Sequence, residues 1–389
     1  MDAGTLTFSF FLIFTGAAVL ATAALYTRQP LIIAYIVLGA IIGPYGASLI
    51  TDVSLLEDVG HIGIIFLLFL LGLDMQPQSL RAVARQASAV AIASSLLFFA
   101  LGFAVAYGFQ FSLVECVVIG IAMMFSSTII SIKLLPTTVL HHKHTGELII
   151  GLLLIQDLIA IFVLIILYSG SSGQFDYSKL VIAMVSLPLL AIFAYLFVRY
   201  ALLKLIQRFD RFHEYIFLLA LGWCLGLAEL AAILGLSAEI GAFTAGIVLA
   251  TSPISQYIAI NLKPLRDFFL ILFFFSLGAQ FDLAMIGSIA VPTLLLALLM
   301  VTIKPLAFRG LLMAMEEKRA LAWSVGFRLG QNSEFSLLIA YVATSTLLIG
   351  KEASHLIQAT AILTLLMSTY LVIFNFPTPI AVTDRLRRD

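Results

Sequence analysis

The sequence predicts an all-α protein that threads a bilayer many times, with thirteen helical spans arranged as an inverted repeat and two of the spans interrupted. Three observations carry this expectation. The 389-residue chain is 62% hydrophobic and 11% charged, whereas a water-soluble domain carries about 25% charged residues. Apolar runs of about 20 residues, each enough to cross a hydrocarbon core about 30 Å thick, recur from end to end. Short patterns return at an offset of about 206 residues, as internal repeats in secondary transporters do.

The apolar segments run at about 5–26, 31–50, 59–75, 83–108, 113–135, 147–168, 179–205, 214–234, 238–252, 265–280, 284–309, 319–348 and 353–376. A targeting peptide would be one such stretch ahead of a soluble body, so the first segment is read as a span. The 238–252 and 265–280 segments are short, which implies tilt or partial burial in protein. The first repeat covers about 5–168 and the second about 214–376, with 179–205 as a linking helix between them. Within them, Gly39–Gly43 lies over Gly246–Ala250, Phe69–Asp74 over Phe275–Gln280, and Ser126-Ser127 over Asn332-Ser333. Two six-span units joined by one more span have opposite orientations, with the substrate site where they meet.

Basic residues set the orientation. Arg28, Arg81, Arg85, Lys204, Arg208, Lys318, Arg319 and the C-terminal Arg385, Arg387 and Arg388 all fall on the side of the odd-numbered loops. The even-numbered loops hold only Lys179 and Lys351, and carry acids such as Asp52, Glu57 and Asp176. This places the N-terminus outside and the C-terminus in the cytoplasm of a cell (inner) membrane protein. A net charge of zero argues against nucleic acid as a partner. Cys116 and Cys224 sit inside apolar runs and read as small buried hydrophobes, with no disulfide or zinc spacing. No catalytic dyad or HExxH motif lies in the spans, so neither an enzyme nor a resident metal or cofactor is expected.

Polar side chains in mid-membrane cost several kcal/mol unless partners or water satisfy them, so each one present is informative. Asp157 is the deepest carboxylate, about 15 Å of helix from either end of its span. It reads as a site for a cation and a proton, against the alternative of a structural partner for a membrane lysine or arginine. Gln156 either lends a carbonyl oxygen to the ion or packs between helices. Ser126, Ser127 and Thr128 put three hydroxyls in a row, which compete for backbone hydrogen bonds and loosen a helix. An unwound stretch there would offer carbonyl oxygens and half-helix ends to an ion. The twelfth span holds Arg328, Gln331, Asn332, Ser333 and Glu334, too polar for lipid contact. A second broken helix crossing the first would explain it, with Arg328 and Glu334 offsetting half-helix dipoles or pairing with other charges. Lys304 either pairs with Asp157, serves as a structural counter-charge, or snorkels to the interface. Glu229 and Glu239 lie near span ends and are expected at the interface. His141, His142 and His144 with Lys143 read as a solvated cytoplasmic loop.

At these residues the sequence is similar to the monovalent cation:proton antiporter-2 family, and within it to the Kef-type potassium/proton antiporters. Tyr35–Gly39 through Gly43-Pro44 resembles its GxxxGP signature, and Phe66–Asp74 its LFLxGLE signature. Leu236–Phe243 with Ala245-Gly246 resembles LSxxxGAFxAG, and Phe273–Gly278 resembles FFxxxG. The resemblance implies a sodium/proton antiporter-like fold, with a six-span core holding two crossed discontinuous helices and a second domain carrying a homodimer contact. Asp157 matches the ion-binding aspartate, Ser126–Thr128 and Gln331–Phe335 the two unwound stretches, and Lys304 a basic position nearby. The family usually has Gly-Glu-Phe where this chain has Ser333-Glu334-Phe335. Gln156-Asp157 resembles the potassium-transporting type, so the resemblance implies one-for-one potassium/proton exchange. The rival readings are a gated potassium efflux channel and a sodium/proton antiporter. Nothing up to Asp389 resembles the nucleotide-binding domain of full-length Kef proteins; either this member lacks that domain, or a cytoplasmic regulatory domain or subunit lies outside the given sequence.

Overall fold

The computed structural model describes residues 6–50, 54–74, 77–133, 135, 144–171, 174–175, 177–209, 211–252 and 254–378. His141, His142, Lys143 and the C-terminal Arg385, Arg387 and Arg388 lie outside the described residues. Each of the thirteen apolar segments contains helix, though the second is helical only to Ile42 and turns over 43–50. The first four are α1 Leu6–Tyr26, α2 Leu31–Ile42, α3 Ser54–Asp74 and α4 Pro77–Gly108. The fifth divides into α5 Leu113–Met123 and α6 Thr128–Lys133, and α7 His144–Ser169 forms the sixth. The linking segment is α8 Tyr177–Phe197, which passes through a π-helical turn at Val198–Leu202 into α9 Leu203–Arg208. Then follow α10 His213–Ile233, α11 Ala238–Ala250, α12 Ile254–Ala279 and α13 Ile286–Ala314. The twelfth segment divides into α14 Arg319–Arg328 and α15 Glu334–Ser345, and α16 Lys351–Asn375 closes the series. Among the described residues, the only strands are two two-residue pieces at Gly170–Ser171 and Gln174–Phe175.

Seven of these helices are long and apolar enough to cross a membrane by themselves, and five more apolar stretches of 10–17 residues accompany them. α12 is longer than its apolar segment. Its first half carries Lys263 and Arg266, the latter paired with Asp267 at 2.8 Å.

The chain forms two compact units. The first takes residues 1–21, 34–77 and 175–281. In it α3 packs along α11 and α12, and α10 packs on α11. Glycine permits backbone to touch backbone here. A Cβ on Gly39 would stand 2.0 Å from Phe275 O, and one on Gly246 would stand 2.1 Å from Phe69 O. Gly39 and Gly246 are repeat counterparts, as are Phe69 and Phe275, so a contact made in one half returns in the other. Glu239, expected at the interface, is instead buried, with Oε1 2.7 Å from His61 Nε2. The cause is packing: Glu239 stands in the first turn of α11, which lies along α3, and α3 brings His61 to it.

The second unit takes residues 22–33, 78–174 and 282–389. Its helices α13, α14 and α16 pack together, and α15 packs on α16 and α5. A capping box starts α5, with Ser112 and Glu115 satisfying each other's backbone donors. Glu115 Oε1 also accepts from Gly350 N at 3.1 Å, which ties the start of α5 to the start of α16.

Candidate cation and proton site

Both interrupted helices lie in the second unit, and their breaks meet. The chain leaves helix after Met123 and re-enters at Thr128; it leaves again after Arg328 and re-enters at Glu334. Serine restarts both. Ser127 Oγ accepts from Ile130 N at 3.2 Å, and Ser333 Oγ accepts from Phe335 N at 3.1 Å. A serine ahead of a helix satisfies one of its orphan N–H groups, and the two serines are repeat counterparts. Each break also supplies donors to the other's orphan carbonyls. Ser126 Oγ donates to Leu329 O at 2.8 Å, and Ser336 Oγ donates to Ala122 O at 2.5 Å. Ser131 Oγ lies 2.9 Å from Arg328 O. With no water in hydrocarbon to take these bonds, the backbone groups at the breaks must be satisfied within the protein.

Asp157 projects from α7 and is 1% exposed. Thr128, at the first position of α6, places Oγ1 3.4 Å from Asp157 Oδ1 and 3.2 Å from Oδ2. Glu334, also buried and the counterpart of Thr128, lies within electrostatic reach of Asp157. Among the described residues, no lysine, arginine or histidine nitrogen lies within 4.0 Å of the Asp157 carboxylate.

Lys304 takes a different position from the pairing that the sequence allowed. Fully buried, it donates from Nζ to Phe125 O at 2.7 Å and to Gln331 O at 3.3 Å. Those two carbonyls are repeat counterparts, one in each break. The free C-terminal end of a half-helix is electronegative, so one ammonium answers two such ends at once. Its Nζ also lies over the Phe98 ring, 5.2 Å from the centroid. Close backbone packing brings it there, since a Cβ on Gly326 of α14 would stand 2.6 Å from Pro305 O of α13.

Gln156 turns to the first break rather than standing open. Its Oε1 accepts from Ser126 N at 3.1 Å, and its Nε2 donates to Met124 O at 3.4 Å. Arg328 is buried and donates from Nη2 to Pro377 O at 2.7 Å. Asn332 donates from Nδ2 to Met123 Sδ at 3.1 Å, while its buried Oδ1 has no hydrogen-bond partner. The structure thus bonds Ser126 and Lys304 to the second break, Gln156 to the first and Thr128 to Asp157, while Ser127 starts α6 and Asn332 bonds to Met123 at the end of α5.

Sequence reasoning missed the share taken by α16. Asn332 N donates to Thr364 Oγ1 at 3.0 Å, and Ser368 Oγ donates to Gln331 Oε1 at 2.9 Å. The signal was present: Thr360, Thr364 and Ser368 stand four apart, on one face of a helix in an otherwise apolar run.

The family model described as "Sodium/hydrogen exchanger, transmembrane" matches residues 10–374. The iron transporter MagA of Paramagnetospirillum magneticum is 28% identical over 371 residues, covering 92% of this chain and 84% of MagA. K(+) efflux antiporter 4 of Arabidopsis thaliana is 28% identical over 356 residues, covering 90% of this chain and 59% of the antiporter. The chain therefore spans about three fifths of the length of that plant relative. The structure of the sodium proton antiporter MjNhaP1 from Methanocaldococcus jannaschii at pH 8 has a similar fold. Its TM-score is 0.71 at 21% identity, covering 92% of this chain and 94% of that one.

Proposed function

The chain belongs to the sodium/hydrogen exchanger family, and on that premise we propose that it exchanges one potassium ion for one proton at Asp157. It is a multi-pass membrane transporter and not an enzyme. One observation carries the reading: Asp157 is buried, with no base within 4.0 Å of its carboxylate among the described residues. A buried carboxylate without a counter-charge is expensive, so its charge must be met by something that arrives and leaves. A proton or a desolvated monovalent cation meets it equally well, and the two compete for the same oxygens. Thr128 Oγ1 offers a neighbouring ligand, and Asn332 Oδ1 is an acceptor with capacity to spare. Gln156 supports the site by holding the unwound backbone. The loaded, neutral site moves between the two sides of the membrane, while the empty, charged site resists doing so.

Two features favour potassium and one-for-one exchange. The plant relative is named for K(+) efflux, and Gln156-Asp157 resembles the potassium-transporting type. Lys304 is engaged by carbonyls of both breaks, which leaves Asp157 as the group that trades its proton. The bias of basic residues supports a cytoplasmic C-terminus in the cell membrane, and the partners we assign are bilayer lipid and a second copy of the chain.

The test is exchange in proteoliposomes carrying a pH gradient, with lithium, sodium, potassium or rubidium added outside. Potassium and rubidium should collapse the gradient fastest, and Asp157→Asn should leave it intact. Exchange by Asp157→Asn sinks the assignment. Faster exchange with sodium favours the sodium/proton alternative, and cation flux without proton movement favours a channel.

A further inference from the structure

Gln331 has no role in the cycle as described so far. It lies in the unwound stretch between α14 and α15, and it is fully buried. Its amide is fully used. Nε2 donates to Arg328 O at 2.9 Å and to Ser131 Oγ at 2.9 Å, and Oε1 accepts from Ser368 Oγ at 2.9 Å. The three partners sit on three elements: the last turn of α14, the half-helix α6, and α16. Its backbone oxygen takes the Lys304 ammonium as well. The repeat counterpart of Gln331 is Phe125, which carries no amide. At the first break the brace comes from Gln156 on α7, and it stays within that break. Through Ser131, the Gln331 side chain ties the second break to the first.

We infer that Gln331 is a positioning residue for cation exchange, resting on the reading of Asp157 as the exchange site. Thr128, bonded to Asp157, belongs to the first break; Glu334, within electrostatic reach of it, belongs to the second. These groups therefore keep their spacing from Asp157 only while the two breaks keep theirs. The C-terminal carbonyls of α14 are orphans in a medium without water, and Gln331 Nε2 satisfies one of them. Without that donor, Arg328 O is left to Ser131 Oγ, which also lies 2.6 Å from Ser127 O, and the end of α14 is held less firmly against α6. A cation site discriminates between ions through the number and placement of its oxygens, so a small shift there is felt as lost affinity and selectivity. Leucine at 331 has nearly the same volume and makes none of the three bonds.

The experiment compares full-length wild type, Gln331→Leu, Ser368→Ala and Asp157→Asn in proteoliposomes, with thermal unfolding of each measured in detergent. For Gln331→Leu, the apparent KM for potassium should rise about tenfold and the preference for potassium over sodium should flatten. The maximal rate should change by less than about twofold. Ser368→Ala removes a single bond of the same amide and should move KM in the same direction by about threefold. A folded Gln331→Leu protein with unchanged KM and unchanged selectivity overturns the inference. If Gln331→Leu does not fold, Ser368→Ala decides by the same criteria. Exchange persisting in Asp157→Asn overturns the reading of the site itself, and is told apart because it leaves the effect at Gln331 without a site to act upon.

Discussion

The Thr128 hydroxyl reaches both oxygens of Asp157, at 3.2 and 3.4 Å, from the first residue of the half-helix that follows the break. A hydroxyl so placed donates to the carboxylate when the site is empty and can turn a lone pair to a bound cation. Thr128→Val keeps the shape and removes the oxygen. The apparent KM for potassium should rise about tenfold, in line with losing a hydrogen bond to a charged group, while Thr128→Ser should stay close to wild type. Equal behaviour of the two variants in proteoliposome exchange would show that the hydroxyl is not a ligand.

Lys304 stands on carbonyls rather than on Asp157, and this separates two outcomes for Lys304→Met. Losing the ammonium orphans Phe125 O and Gln331 O, at about 1–3 kcal/mol each. It also removes a buried charge whose desolvation costs several kcal/mol, so the opposing effects largely offset. The variant should fold with a thermal midpoint within a few degrees of wild type and retain proton-coupled exchange at a lower rate. Complete loss of exchange in a folded Lys304→Met protein would make the lysine a direct participant.

One carboxylate trading one charge for one charge moves no net charge. Wild-type exchange should therefore be indifferent to a membrane potential imposed by a gradient of a permeant anion such as thiocyanate, measured with potassium as the exchanged ion. A rate that follows the potential would require a second group to carry a proton.

Gln156 joins two backbone groups of the first break. Gln156→Leu leaves Ser126 N and Met124 O unsatisfied, a cost of about 1–3 kcal/mol for each. Gln156→Glu, compared at acid pH where the new carboxyl is neutral, keeps an acceptor for Ser126 N and a donor for Met124 O and should be the milder change. The comparison is made by thermal unfolding. Equal midpoints for both variants would assign Gln156 away from the backbone and back to the ion.

Where glycine lets helices touch, any side chain must force them apart. Gly39→Ala and Gly246→Ala should each lower stability by several kcal/mol, because the added carbon meets backbone that cannot swing aside. Gly222→Ala and Gly226→Ala face open space and should be nearly neutral. Size-exclusion profiles after heating would rank the four.

Much of this was legible before any coordinates. Asp157 stands out because a carboxylate inside an apolar run has few innocent explanations. The breaks at Ser126–Thr128 and Gln331–Glu334 announce themselves by polarity that lipid would not accept. What a sequence cannot supply is where a helical side chain points once a neighbour is chosen. In sequence, Lys304 is open between pairing with Asp157, a structural counter-charge and the interface, and Gln156 between the ion and helix packing. The answer depended on the close approach of Gly326 to Pro305 and on which orphan backbone groups lay nearest. Glu239 was misjudged for a related reason, since its distance from a span end is visible in sequence and its partner His61, some 180 residues earlier, is not.

Lys304 and Phe98 occupy matching places in the two halves, and they touch. A residue on an axis of symmetry meets its own twin. Had both halves kept lysine, two ammonium groups would face each other in oil; had both kept phenylalanine, neither break would have its cation. A scaffold assembled from two identical polypeptides would be confined to one of those failures. Fusing the halves into a single gene lifts that restriction, because each copy is then free to change alone. The unlike pair at the centre is something only a joined chain can possess.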